Sequence, residues 1–177
     1  MPIHSGPHST PSFRKGLWIK SLISVVVITS LGFLSGYFTA TGLSDWYMTI
    51  EKPPFTPPNW VFGPAWTVIY VLIGLSFARI WQVYDKNRYP IVKRFAFRGL
   101  WIFGLHFLFN LAWTPVFFGL HQPGWGVVII LILLAFIAIL IRHFYRLDRI
   151  AAFLLVPYLV WVAFATILTI SIFALNA

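Results

Sequence analysis

Five long apolar segments divide this chain, and nearly all of its positive charge falls in alternate gaps between them. Arg14, Lys15 and Lys20 precede the first segment. Arg79, Lys86, Arg88, Lys93, Arg94 and Arg98 gather between the second and third, and Arg142, Arg146 and Arg149 between the fourth and fifth. Lys52 alone stands on the opposite side. Short loops rich in Lys and Arg stay cytoplasmic and orient the whole bundle. A missed or extra span would scramble the partition, so it supports the segment count as well as the orientation. The expected fold is all-α: a polytopic membrane protein, a bundle of five transmembrane helices, with its N-terminus cytoplasmic and its C-terminus outside.

Composition removes the main rivals. A mean hydropathy of +0.83 with only 10% charged residues excludes an ordinary soluble domain. A net charge of +9 could suit nucleic acid, but here the cations rim apolar segments, so anionic lipid headgroups are the expected contact and nucleic acid is not. The chain has no cysteine, which excludes disulfides, thiolate catalysis and thiolate metal sites.

Residues 1–16, rich in Pro, Ser, His and Gly, read as a disordered cytoplasmic tail. Residues 17–177 form one membrane domain, with helices expected over about 17–41, 60–84, 95–118, 125–145 and 150–175. Each is long enough for ~30 Å of hydrocarbon at ~1.5 Å per residue. Gly32 and Gly36 make a GxxxG surface in the first span, suited equally to a contact inside the monomer and to a dimer seam. The loop 42–58, GLSDWYMTIEKPPFTPP, is expected to be stiff and partly extended, because Pro53, Pro54, Pro57 and Pro58 cannot donate backbone hydrogen bonds. Asn59 reads as the cap of the second helix, Pro115 as a bend near the end of the third, and Pro157 falls inside the fifth.

Candidate chemistry lies in the aromatic residues. Trp18, Trp81, Trp101 and Trp125, with Trp46 and Trp60, sit near span ends, where interface anchoring accounts for them. Trp66, Trp113 and Trp161 lie deeper. Phe62, Trp66 and Tyr70 share one face of the second span. His106, Asn110, Trp113 and Phe117 share a face of the third, and Tyr158, Trp161, Ala165 and Thr169 a face of the fifth. Hydrocarbon does not tolerate unpaired polar groups, so His106 and Asn110 should point inward. An interior walled by Trp, Tyr and Phe with a few polar tips suits a flat, mostly apolar ligand; plain helix packing would produce the same stripes. His106 has no second His facing it at its depth, so a hydrogen-bonded structural role is expected and no metal site. Asp45, Glu51, Asp85 and Asp148 fall in loops without a paired carboxylate, leaving no acid–base constellation.

Three motifs, in order, resemble one family. Trp46-Tyr47, Lys52-Pro53 and Pro57-Pro58-x-Trp60-x-Phe62-x-x-x-Trp66-x-x-x-Tyr70 resemble the first loop and second helix of the TspO/translocator proteins, also called tryptophan-rich sensory proteins or peripheral benzodiazepine receptors. FNLAWTPVFFG, Phe109 to Gly119, resembles their third helix, and Pro157-Tyr158-Leu159-x-Trp161-x-x-Phe164-Ala165-Thr166 their fifth. The resemblance covers about residues 20–177. It implies a five-helix bundle, commonly a homodimer, here in a bacterial inner (cytoplasmic) membrane. Such a protein binds protoporphyrin IX or another porphyrin as ligand, requires no cofactor, and carries its first loop as a lid. The positions that match the family's ligand contacts are Tyr47, Trp66, Asn110, Trp161, Ala165 and, less closely, Thr169, where the family often has Asn. Some bacterial members degrade protoporphyrin IX with light and oxygen; by resemblance, Trp66 and Trp161 would be the catalytic pair if this chain does so. Porphyrin or sterol transport is a third possibility. The C-terminal SIFALNA lacks the Tyr and Lys or Arg of the animal cholesterol pattern, and no acidic residue at depth offers a coupling-ion site.

Overall fold

A segment surrounded by lipid must satisfy its own backbone polar groups, so each apolar run closes as a helix. The computed structural model describes residues 11–40 and 43–177, the side chains at 11–15 and 38–45 excepted. It contains α1 (Pro11–Ala40), α2 (Leu43–Thr49), α3 (Asn59–Lys86), α4 (Pro90–Thr114), α5 (Pro123–Tyr145), α6 (Arg149–Leu154) and α7 (Val156–Leu175); a π-helical turn, Pro115–Gly119, continues α4. No strand occurs among the described residues. Five spans are long and apolar enough to cross a membrane: Gly16–Tyr37, Asn59–Lys86, Pro90–Gly119, Pro123–Tyr145 and Arg149–Leu175, the last formed by α6 and α7 in series. Apolar side chains such as Leu22, Val68, Leu108, Ile139 and Ile167 face outward, as a surface bathed in hydrocarbon requires.

Several expected boundaries move. Residues 1–10 of the predicted tail lie outside the described residues, and α1 already runs at Pro11. The 42–58 loop is not simply extended, since α2 occupies its first half. Asn59 is not a cap: Pro58, held extended at ψ 143°, takes the N-cap place, and Asn59 is already helical. Two successive prolines keep the backbone out of the α region up to Pro58 and release it immediately after. The third span begins at Pro90, five residues before the expected start, with proline at the helix N-terminus where its missing N–H costs least. Pro157 interrupts the fifth span, because it has no N–H for the carbonyl of Phe153; the chain turns at Leu155 and α7 restarts.

The π turn has a similar cause. Pro115 cannot donate to the carbonyl of Leu111, and the Ser35 hydroxyl of α1 donates to that carbonyl instead, at 2.7 Å. The helix then widens, the Leu120 N–H donating to the Pro115 carbonyl at 2.9 Å.

Small residues let α1 and α3 approach. A Cβ built on Gly74 would lie 2.7 Å from the Val25 Cα, and one on Gly32 would collide with the Tyr70 ring. Gly32 of the GxxxG pair is thus used inside the monomer. Gly74→Val should force the two backbones apart and lower stability by about 2–3 kcal/mol. Thermal unfolding in micelles would check this: an unchanged midpoint would mean that α1 is not anchored there.

The basic end of the bundle is held by polar contacts. Arg79 Nε donates to both oxygens of Asp148 at 3.0 Å, and Nη2 lies 2.8 Å from Oδ2. Asp148 also caps α6, accepting from the Ala151 N–H at 3.0 Å, while the Ser76 hydroxyl donates to the Ala151 carbonyl at 2.7 Å. Asp148 is therefore a structural clamp between α3 and α6.

Candidate functional site

The faces expected from helical spacing converge between α3, α4 and α7. Trp66 stacks on Tyr70 with ring centres 5.3 Å apart and meets Tyr158 edge-on at 6.3 Å. Phe62, one turn before Trp66, meets Trp161 edge-on at 5.9 Å. Trp161 in turn lies 5.9 Å from Phe164, which faces Phe55 of the loop at 6.5 Å. Trp66, Trp161 and Ala165 pack on one apolar core.

Beneath the tryptophans runs a buried polar chain. Tyr70 OH donates to Asn110 Oδ1 at 3.4 Å, Asn110 Nδ2 donates to Tyr158 OH at 2.8 Å, and Tyr158 OH lies 3.0 Å from His106 Nε2. The chain uses every hydroxyl proton when Tyr158 donates to His106, as desolvated groups require. His106 is thus a hydrogen-bonded interior histidine. Asn110 spends one donor and one acceptor position on the tyrosines and keeps the others. The Trp161 indole N–H is buried and has no partner.

Tyr47 and Thr169 stand apart from that core. Tyr47 is buried in a second cluster at the loop end, with Phe117, Leu168 and Ile172; Phe62 and Trp113 pack against it, and Trp113 also packs on the main core. Its ring meets Phe118 edge-on at 5.3 Å and carries Lys52 Nζ 4.6 Å from its centre. Burial pushes the Tyr47 phenol above its ordinary value. Thr169 departs from the expectation of a ligand-facing hydroxyl: its Oγ1 donates to the Ala165 carbonyl one turn back, at 2.8 Å.

The loop over the site is fastened by contacts with no sequence signature. Trp46 stacks on His121 at 4.8 Å, so it packs as well as anchors; His121 itself sits at φ 54° in the tight turn before α5. Asn176 makes a two-way pair with the loop backbone, its Nδ2 donating to the Glu51 carbonyl at 2.9 Å and its Oδ1 accepting from the Glu51 N–H at 3.0 Å. Two surface hollows, of about 340 and 400 Å³, lie away from Trp66 and Trp161. The interior between α3, α4 and α7 is filled by aromatic side chains. No cluster of three His, Asp or Glu able to hold a metal occurs among the described residues.

Five apolar helices around a Trp- and Tyr-rich interior, closed at one end by a fastened loop, define an integral membrane protein with an aromatic core. The chain belongs to the TspO/MBR family, whose model matches residues 23–175. It is 40% identical over 161 residues to the tryptophan-rich protein TspO of Archaeoglobus fulgidus, covering 90% of this chain and 98% of that one. It is 33% identical over 132 residues to the tryptophan-rich sensory protein of Cereibacter sphaeroides, covering 75% and 77%. With the translocator protein of Homo sapiens it shares 32% over 164 residues, covering 90% and 91%.

Proposed function

We propose that this protein binds a tetrapyrrole of the protoporphyrin IX type between α3, α4 and α7, beneath the loop that carries α2. The observation that carries this is the meeting of Trp66 and Trp161, from different helices, in one interior core, with the buried Trp161 N–H lacking an acceptor. A flat macrocycle offers rings to stack on and nitrogen or carboxylate acceptors for that donor. Asn110 supplies a further polar contact with its remaining hydrogen-bonding positions, and Ala165, one turn after Trp161, presents only a small methyl group. Entry requires the loop to lift, because Tyr47 and Phe62 fill the approach. Asn176→Ala, which removes the fastening at Glu51, is expected to speed porphyrin association about five-fold, as for loss of roughly 1 kcal/mol of hydrogen bonding. Stopped-flow quenching would check it, and an unchanged rate would mean that entry does not pass the loop.

The same proposal places the protein in a bacterial inner membrane, as a homodimer, with the basic end cytoplasmic. A tag at Ala177 found on the cytoplasmic side would overturn the orientation, and light scattering in micelles would report the copy number.

Titration with protoporphyrin IX in the dark, followed by tryptophan quenching, tests the ligand. Saturable quenching with an unchanged porphyrin spectrum on aerobic illumination is expected. Decay of the porphyrin band faster than in W66F/W161F would instead assign light-dependent degradation through the two tryptophans. An absence of saturable quenching would overturn the porphyrin assignment.

A further inference from the structure

The larger hollow is a cleft of about 400 Å³ between α3 and α4 at the basic end, lined by Phe77, Trp81, Tyr84, Phe97, Leu100 and Trp101. It follows from the course of α1. Toward the loop end α1 reaches α4 through the Ser35–Leu111 bond. Toward the basic end its described contacts are with α3: Gly16 faces the Gln82 side chain, Lys20 Nζ lies 5.2 Å from the Trp81 ring centre, and the same amine pairs with Asp85 at 2.8 Å. Phe77, Trp81 and Tyr84 share one face of α3, at i, i+4 and i+7, and line the cleft opposite Phe97 and Trp101; Tyr84 and Phe97 close its basic end with ring centres 5.8 Å apart. Phe97 and Trp101 are 46% and 62% exposed, open to a lipid chain from outside the bundle.

The rim of the cleft is cationic. Lys93 stands one turn before Phe97 with its Nζ 6.0 Å from the Tyr84 ring centre. Arg94, exposed, stands three residues before Phe97 and seven before Trp101, on the same side of α4, while Arg98, also exposed, lies about 100° round the helix from Phe97. Among the described residues none of these three has a carboxylate within ion-pair distance, and the nearby Asp85 is already paired with Lys20 and Lys86.

We propose that this cleft binds an anionic glycerophospholipid, with an acyl chain along the aromatic walls and the phosphate held by Lys93 and Arg94. The two halves of the site match the two halves of such a molecule. The walls from Phe77 to Tyr84 run about 10 Å along the span, and the unpaired cations sit at the end where a headgroup lies. A zwitterionic headgroup would bring its own cation into the same positive field, so the site selects negative lipids. The proposal does not depend on the porphyrin assignment.

The full chain is reconstituted in phosphatidylcholine nanodiscs with bromine-labelled phosphatidylglycerol or bromine-labelled phosphatidylcholine. Quenching at Trp81 and Trp101 is read by difference against W81F/W101F. Enrichment of the anionic lipid by about five-fold or more is expected, since each interfacial cation is worth about that factor. K93Q/R94Q should bring the ratio close to one, with K93Q and R94Q singly in between. R142Q/R146Q removes the same charge from the same end away from the cleft and should keep the enrichment. A ratio near one in the native protein would overturn the site. Equal loss in both double variants would do so too, because only bulk attraction to the basic end would remain.

Discussion

Asp148→Ala is expected to destabilise the protein by about 3 kcal/mol, read as a lowered unfolding midpoint in micelles. Two functions are lost together. The Arg79 guanidinium, whose side chain is 23% exposed, is left without the carboxylate that it grips through Nε and Nη2. The first turn of α6 also loses the oxygen that accepts from the Ala151 N–H. Removing one member of a desolvated pair costs more than the pair is worth, because the other charge stays behind. Asp148→Asn separates the two roles, since it keeps a capping oxygen and drops the charge; about half the loss is expected. In R79M/D148A the stranded cation is gone, so this double variant should be more stable than D148A alone. A double variant less stable than D148A would show that Arg79 does not depend on Asp148.

The clamp also marks the boundary of what the sequence reveals. The five spans are legible because burial in lipid leaves a long one-dimensional record: an apolar run, then its basic flank. The convergence of Trp66, Trp161 and Asn110 is legible for a related reason, since residues at i, i+3 and i+4 share a face and polar groups at depth must turn inward. What escapes are contacts set by distant partners. Leu43–Thr49 is too short, among prolines and a polar run, for its apolar spacing to announce a helix; α2 is helical where Trp46 rests on Phe117 and His121, and Tyr47 on Phe118. Asp148 reads as a loop acid until Arg79, a helix away, is brought beside it. Asn176 is two residues from the end of the chain, and nothing near it announces Glu51 as its partner. Thr169 shows a further limit: its position suggests a hydroxyl for a ligand, but spacing does not reveal that the hydroxyl proton turns back to the carbonyl one turn earlier.

Replacing both Trp66 and Trp161 by alanine is expected to weaken protoporphyrin IX binding about a hundred-fold, as for loss of two ring contacts worth roughly 1.5 kcal/mol each. Single phenylalanine variants sharpen the test. Phe keeps a ring at each position but no N–H, and the buried N–H of Trp161 has no partner in the protein. An unsatisfied buried donor carries a penalty of about 1–3 kcal/mol, which W161F relieves while giving up some packing. W161F should therefore leave the stability of the ligand-free protein almost unchanged and yet weaken porphyrin binding about ten-fold, the signature of a donor kept for an absent acceptor. W66F, whose ring rests on Tyr70 and faces Tyr158, should lose affinity and stability together. If W161F binds porphyrin as tightly as the native chain, the indole N–H is not aimed at the ligand. Trp161 would then act through its ring alone.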